Sequence, residues 1–298
     1  MESGFSLDAL VPREMANKAE TVGVAKATLG PLRMLALAVL AGAFIALGAI
    51  FATTATAGTS GEIPFGLAKL VGGLVFCLGL ILVVGAGAEL FTGNNLIVMG
   101  WAGRKVTTRQ LLYNWVIVYF GNFIGAIFTA LMLFYSRQYT FGGGAIGVNA
   151  LNIANGKVNL DFVQAIILGI FCNALVCLAV WLCIGARSAT DKILAIIFPI
   201  TAFVAAGFEH SVANMYFIPV GLFIKSDSAF MAQAGLDVAN YANLTWGNFF
   251  LHNLLPVTIG NIIGGAVMVG LVYWFIYLRP TWTGHGIDKP EPETVMAK

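Results

Sequence analysis

A chain of 298 residues that is 59% hydrophobic and only 10% charged lies far from soluble domains, in which about a quarter of residues carry charge, and it reads as an integral membrane protein. Its net charge of +2, without an arginine-rich segment, gives no case for nucleic acid as a partner. Cys77, Cys172, Cys177 and Cys183 lie inside apolar stretches without histidine partners or metal-site spacing, so they read as small buried thiols, and no metal or cofactor is expected.

Residues 1–30 are long, mixed in charge and fairly polar, so no cleavable signal is expected before the first apolar segment. Leu7, Leu10, Val11, Val22 and Val24 recur there at helical spacing among charges. The segment reads as an amphipathic cytoplasmic helix beneath the membrane part. Six apolar segments follow, at roughly 32–57, 65–103, 110–136, 162–186, 192–225 and 248–278; about 20 residues suffice to cross a bilayer.

The second and fifth segments are too long for one straight span and too short for two. Each holds the same interruption, Gly87-Ala88-Glu89 with Asn94 and Gly207-Phe208-Glu209 with Asn214. They are expected to be broken helices, since irregular backbone at that depth survives only inside protein or beside a cavity. The third and sixth segments share N-x6-G-N-x2-G: Asn114, Gly121, Asn122 and Gly125, then Asn253, Gly260, Asn261 and Gly264. Small residues there, with Gly265, are expected to let helices pack closely. Three spans per copy is an odd number, so the second copy enters the membrane from the opposite side. The fold expected is an all-α membrane protein of six transmembrane helices, two of them broken, in an inverted 3+3 repeat. Its channel domain would cover 31–280, with repeats at about 31–136 and 161–278 and a cytoplasmic tail at 281–298. Of the 16 Lys and Arg, all but Lys69, Arg137, Lys157 and Lys225 fall on one side of this arrangement, which places both termini in the cytoplasm.

An ionisable pair at membrane depth, Glu209-His210, costs several kcal/mol unless it faces a bundle interior or a pore. His210 has the sharpest functional reading, because an imidazole can donate, accept or change charge near neutral pH. Glu89 and Glu209 are expected to accept backbone N–H groups freed by the breaks, with Asn94 and Asn214 in similar roles. Thr92 and Ser211 offer hydroxyls, and Asn173, a bare amide in mid-span, would need His210 or Thr92 as a partner. His252 reads as a packing or interfacial residue rather than a relay. With no nucleophile elbow, metal-ligand cluster, phosphate loop or soluble catalytic domain, the chain does not read as an enzyme.

The stretches Gly85-Ala86-Gly87-Ala88-Glu89-Leu90-Phe91-Thr92-Gly93-Asn94 and Gly207-Phe208-Glu209-His210-Ser211-Val212-Ala213-Asn214-Met215 resemble the two signature segments of the formate/nitrite transporter family. The similarity runs over about residues 30–280, and the N-terminal segment and loops look most like the family's bacterial formate channels. The resemblance implies a homopentamer of aquaporin-like protomers in the inner membrane, each with its own pore, working on formate in both directions, as the anion, as formic acid or with a proton. It makes His210 the central histidine with Thr92 and Asn173 as polar neighbours. It places Phe76 with Phe203, and Leu90, Phe91 and Val176, at apolar constrictions, gives Lys157 the task of drawing anions to the mouth, and links residues 1–30 to gating. Partners would be formate, related small monovalent anions and membrane lipids. A nitrite or hydrosulfide channel of the same family is the alternative. A water, glycerol or ammonia pore is further off, because no Asn-Pro-Ala box occurs and only one histidine lies at this depth.

Overall fold

The computed structural model describes residues 9–280, together with the backbone of a two-residue antiparallel pair, Trp282–Thr283 with Gly286–Ile287. Leu7 of the expected N-terminal helix and, apart from that pair, the expected tail at 281–298 lie outside the described residues. Every other regular element among the described residues is helical. Among the described residues, five helices are long and apolar enough to cross a membrane, so the chain is a multi-pass membrane protein.

The first helix, α1 (Pro12–Ala27), buries Met15, Ala16, Ala19, Glu20, Gly23 and Ala27 against the protein. It is strapped down by Lys105 Nζ to Glu20 Oε2 at 2.5 Å, Lys18 Nζ to the Ile184 carbonyl at 3.0 Å and Leu10 N to the Gly185 carbonyl at 3.2 Å. The long helices α2 (Pro31–Ala55) and α3 (Phe65–Ala86) follow, then two short pieces, α4 (Phe91–Asn94) and α5 (Val98–Ala102), joined by a 3₁₀ turn at Asn95–Ile97. Thr107 caps α6 (Thr108–Ser136) through a reciprocal pair with Gln110, which satisfies the N–H groups of both residues at the start of the longest helix.

The segment between the two halves is not a plain loop. It contains α7 (Ala145–Val158), whose buried face is Ile146, Gly147, Ala150, Leu151, Ala154 and Val158. Next come α8 (Phe162–Gly185), α9 (Ala189–Ala205), α10 (Ser211–Lys225) and α11 (Ser228–Gln233). The last span, 246–277, changes pitch along its length. It runs as α12 (Trp246–Asn248), π-helical Phe249–Leu254, α13 (Leu255–Ile262), π-helical Ile263–Leu271 and α14 (Val272–Tyr277).

Two glycines set the ends of α3 and α9. Gly87 has φ +75° and Gly207 φ +74°, in the left-handed region that a side chain resists. Each reverses the chain so that the next N–H closes on the helix behind it, Ala88 on the Val83 carbonyl and Phe208 on the Phe203 carbonyl. Helix pairs cross closely: α2 packs on α6 and α8 on α13. At the α7 end, Tyr139 donates its hydroxyl to Asp227 Oδ2 at 2.6 Å, the Phe230 N–H donates to Oδ1 and Arg137 lies 3.6 Å away. The Tyr139 bond, then the Phe230 N–H and the Arg137 charge, hold the Asp227 carboxyl below the usual carboxylate range. A depressed carboxylate stabilises the fold above its unfolded value, so this tie between loops persists at neutral pH and is lost as pH falls through the lowered value.

Candidate functional site

Each helix interruption is built on one asparagine. At the first, Asn122 of α6 receives the Phe91 N–H on Oδ1 at 2.9 Å and donates Nδ2 to the carbonyls of Ala38 at 2.7 Å and Glu89 at 2.9 Å. At the second, Asn261 of α13 receives the Ser211 N–H at 2.9 Å and donates to the carbonyls of Gly169 and Glu209, both at 2.9 Å. The Glu89 N–H reaches the Leu37 carbonyl and the Glu209 N–H the Leu168 carbonyl. These bonds satisfy buried backbone groups that would otherwise cost about 1–3 kcal/mol each.

The two glutamates therefore do something other than serve the backbone. Glu89 Oε1 takes Lys26 Nζ at 2.6 Å, and its Oε2 takes Asn94 Nδ2 at 2.6 Å. Glu209 Oε1 takes Lys157 Nζ at 2.7 Å, and its Oε2 takes Asn214 Nδ2 at 2.7 Å. Asn114 Oδ1 accepts from Asn94, and Asn253 Oδ1 accepts from Asn214. Asn114 Nδ2 then reaches the Lys26 carbonyl at 3.1 Å, and Asn253 Nδ2 the Lys157 carbonyl at 2.9 Å. The expectation that the carboxylates accept freed N–H groups is corrected on this point. Asn122 and Asn261 sit closer to the backbone, and the carboxylates, buried to 4% exposure, need cations instead.

Lys26, Asn122 and Asn261 are the residues that sequence reasoning missed. Both asparagines were visible only as parts of a packing motif. A signal for Lys26 did exist: Lys26 lies five residues before Pro31 at the start of α2, and Lys157 five before Phe162 at the start of α8, each in K-x2-L.

Between the interruptions, Thr92 Oγ1 lies 3.0 Å from His210 Nε2, and both residues are buried. His210 caps α10 by accepting the Ala213 N–H on Nδ1 at 3.0 Å. That bond leaves the ring proton on Nε2, which donates to Thr92 Oγ1 and frees the threonine hydroxyl's own proton for another acceptor. Asn173 donates to the Thr92 carbonyl at 3.3 Å, to Asn95 Oδ1 at 3.1 Å and to the Asn261 carbonyl at 2.7 Å. It braces the centre without touching His210. The ring of His210 stacks on Phe203 with centroids 5.9 Å apart, and Phe203 meets Phe76 edge-on at 5.7 Å.

Two cavities approach this centre from opposite ends of α3. One of about 430 Å³ is lined by Lys69, Phe76, Lys157, Phe203, Glu209 and His210, at the α7 end. The other, of about 330 Å³, is lined by Lys18, Lys26, Leu80, Glu89, Leu90 and Lys192, at the α1 end. Phe91 and Val176 line neither; both are buried, and Phe91 packs against Tyr119 and Trp115. Leu80, buried beside Leu90 in the second cavity, was not singled out in the sequence. Ser211 is buried with no hydrogen-bond partner for its hydroxyl, and His252 is exposed. Among the described residues no cluster of His, Cys, Asp and Glu is suited to a metal ion.

Comparison with known proteins bears on this geometry. The family model described as formate/nitrite transporter matches residues 13–275. The formate channel FocA of Escherichia coli K12 is 48% identical over 281 residues, covering 94% of this chain and 98% of FocA. FocA of Haemophilus influenzae is 43% identical over 265 residues, covering 88% and 93% of the two chains. A solved structure of a pentameric formate channel with formate bound superposes with a TM-score of 0.79 at 45% identity, covering 84% of this chain and 98% of that one. With a family match over nearly the whole membrane part and relatives this similar end to end, the chain belongs to the formate/nitrite transporter family.

Proposed function

We propose that the protein is a bidirectional formate channel of the bacterial inner membrane, with one passage in each chain. The observation that carries this reading is the buried Thr92–His210 hydrogen bond, with His210 lining the cavity at one end of α3 and Leu90 and Gly93, on either side of Thr92, lining the cavity at the other. Formate is a carboxylate, and a bare anion is costly among apolar rings. Phe76 with Phe203 on one side, and Leu90 with Phe91, Val176 and Leu80 on the other, would exclude hydrated ions. At the centre the substrate meets two donors, His210 Nε2–H and the Thr92 hydroxyl. A second proton on His210 would have to displace the Ala213 N–H from Nδ1, so the ring is suited to pass a proton on rather than to hold two.

The matching contacts around Glu89 and Glu209 support an inverted 3+3 repeat of six spans, with α3 to α5 and α9 to α10 as the two broken ones, in an aquaporin-like protomer. The excess of Lys and Arg at the α1 end puts that end in the cytoplasm. The family resemblance, and the pentameric relative, support five copies. A native mass in detergent is expected at five chains, and a stable monomer or dimer would count against this assembly.

The central step is tested by His210→Gln, which keeps a hydrogen-bonding amide but cannot titrate. Wild-type protein in proteoliposomes is expected to take up formate faster as the outside pH is lowered, because the proton relayed through His210 is drawn from that side. In His210→Gln that response is expected to vanish and proton-linked uptake to fall roughly tenfold or more, the worth of one charge-assisted hydrogen bond. Some passive efflux should survive. Wild-type flux with wild-type pH dependence in the variant would reduce His210 to a structural cap.

A further inference from the structure

We propose that Lys69 and Asn152 form a docking position for a small two-oxygen monovalent anion at the mouth on the α7 end. The inference rests on the reading of the chain as an anion passage. Lys69 stands on α3 seven residues before Phe76, two turns or about 10 Å further out along one face of that helix. Lys69 and Asn152 both line the 430 Å³ cavity that reaches His210, and both also line a wider cavity of about 800 Å³ outside it. They therefore stand at the junction that any solute on this route must pass.

The chemistry of the two side chains fits an anion. None of the four ion pairs among the described residues includes Lys69. Its ammonium lies over the Phe65 ring at 5.4 Å, a contact that leaves its N–H groups open. Asn152 receives the Tyr241 hydroxyl on Oδ1 at 3.1 Å, which fixes the amide and turns its two N–H donors away from Tyr241. One fixed amide and one free ammonium lining the same cavity suit the paired oxygens of a carboxylate or nitrite better than a single-atom anion.

Lys157, the other cation that lines the 430 Å³ cavity, is placed differently. Its Nζ is 2.7 Å from Glu209 Oε1, so the pair carries no net charge and its pull on an anion fades quickly with distance. Lys69 is the uncompensated cation of this cavity lining. Its field reaches about 10 Å at 0.1 M salt, and apolar walls that narrow toward Phe76 concentrate it along the route inward.

The test uses the full chain in sealed vesicles with the α7 end outward, measuring initial formate influx against formate concentration at ionic strengths of about 20 and 500 mM. At low salt, Lys69→Gln is expected to raise the half-saturating concentration about three- to tenfold while leaving the maximal rate unchanged, and the difference should close at high salt. Lys69→Arg should behave as wild type. Asn152→Leu should raise the half-saturating concentration about two- to fivefold at both salt levels, because a neutral hydrogen bond is not screened. Unchanged half-saturation in either Lys69→Gln or Asn152→Leu at low salt would overturn the proposal, and so would a loss of maximal rate in Lys69→Gln that ignores salt. If the wild-type chain passes neither formate nor nitrite, the failure lies with the anion-passage reading and not with this mouth.

Discussion

Lys157→Met is expected to be the most damaging single charge removal in the chain. The substitution keeps the apolar stem and takes away the ammonium that faces Glu209 at 2.7 Å. Glu209 is 4% exposed and its other oxygen is already engaged by Asn214 and Asn253. Removing one partner of a buried ion pair leaves an uncompensated charge, at about 3–5 kcal/mol. For a protein of this size that is a fall of roughly 6–20 °C in the detergent melting midpoint. The double variant Lys157→Met/Glu209→Gln should recover at least half of the loss, since a neutral amide at 209 needs no cation and still bonds its asparagine neighbours. The same pair of substitutions at Lys26 and Glu89 is expected to show the same pattern with a smaller amplitude, because the Lys26 side chain is 29% exposed against 16% for Lys157. Equal melting of the single and double variants at 157 and 209 would show that the ion pair is not what holds the second interruption.

The second large effect is steric. Gly125 of α6 lies so close to α2 that a Cβ there would overlap the Val39 carbonyl oxygen, and at Gly264 a Cβ would overlap the Ile170 carbonyl oxygen of α8. Both obstacles are backbone, so neither can rotate away. Alanine at either position must push a helix pair apart. Overpacking alone costs about 1–3 kcal/mol. The separation would also stretch the bonds from Asn122 to the Ala38 and Glu89 carbonyls, or from Asn261 to the Gly169 and Glu209 carbonyls. A total near 3–5 kcal/mol for each of Gly125→Ala and Gly264→Ala is therefore expected, read as lost yield of assembled protein and a lower melting midpoint. Gly85→Ala is the control. Nothing lies within 4 Å of its Cβ position, it sits in α3 with an ordinary helical backbone, and it should melt at or slightly above wild type. A melting midpoint for Gly125→Ala equal to that of Gly85→Ala would refute the close-crossing argument.

Much of this architecture was legible in the sequence because the bilayer enforces it. Apolar length places the spans, and an ionisable residue inside one is conspicuous, so Glu89, Glu209 and His210 stand out without a structure. The paired Thr92 and Asn173 also come together near His210, though Asn173 bonds the Thr92 carbonyl and not the imidazole. The partners of the glutamates were harder to see. Lys26 and Lys157 sit 63 and 52 residues from their acids, and the short K-x2-L that they share links one lysine to the other but neither to its glutamate. Helix α7 was hidden for a related reason. Its sequence, AIGVNALNIANGKV, mixes Gly and Asn with small apolar residues, and its helical form depends on burial of Ile146, Ala150, Leu151 and Ala154 rather than on propensity. Asn122 and Asn261 were read with the glycines beside them as packing elements. An amide's reach to three backbone groups depends on a tertiary approach that spacing does not encode.

The direction of the two ion pairs along the chain matters for synthesis. In both, the lysine comes first: Lys26 is made 63 residues before Glu89, and Lys157 is made 52 residues before Glu209. At the usual pace of about 5–20 residues per second, each cation is complete some 3 to 13 s before its acid leaves the ribosome. Neither glutamate therefore has to enter the lipid before a counter-charge exists. Each acid arrives on a half whose first helix has already been made, and the interruption that carries it can close around a lysine that is waiting.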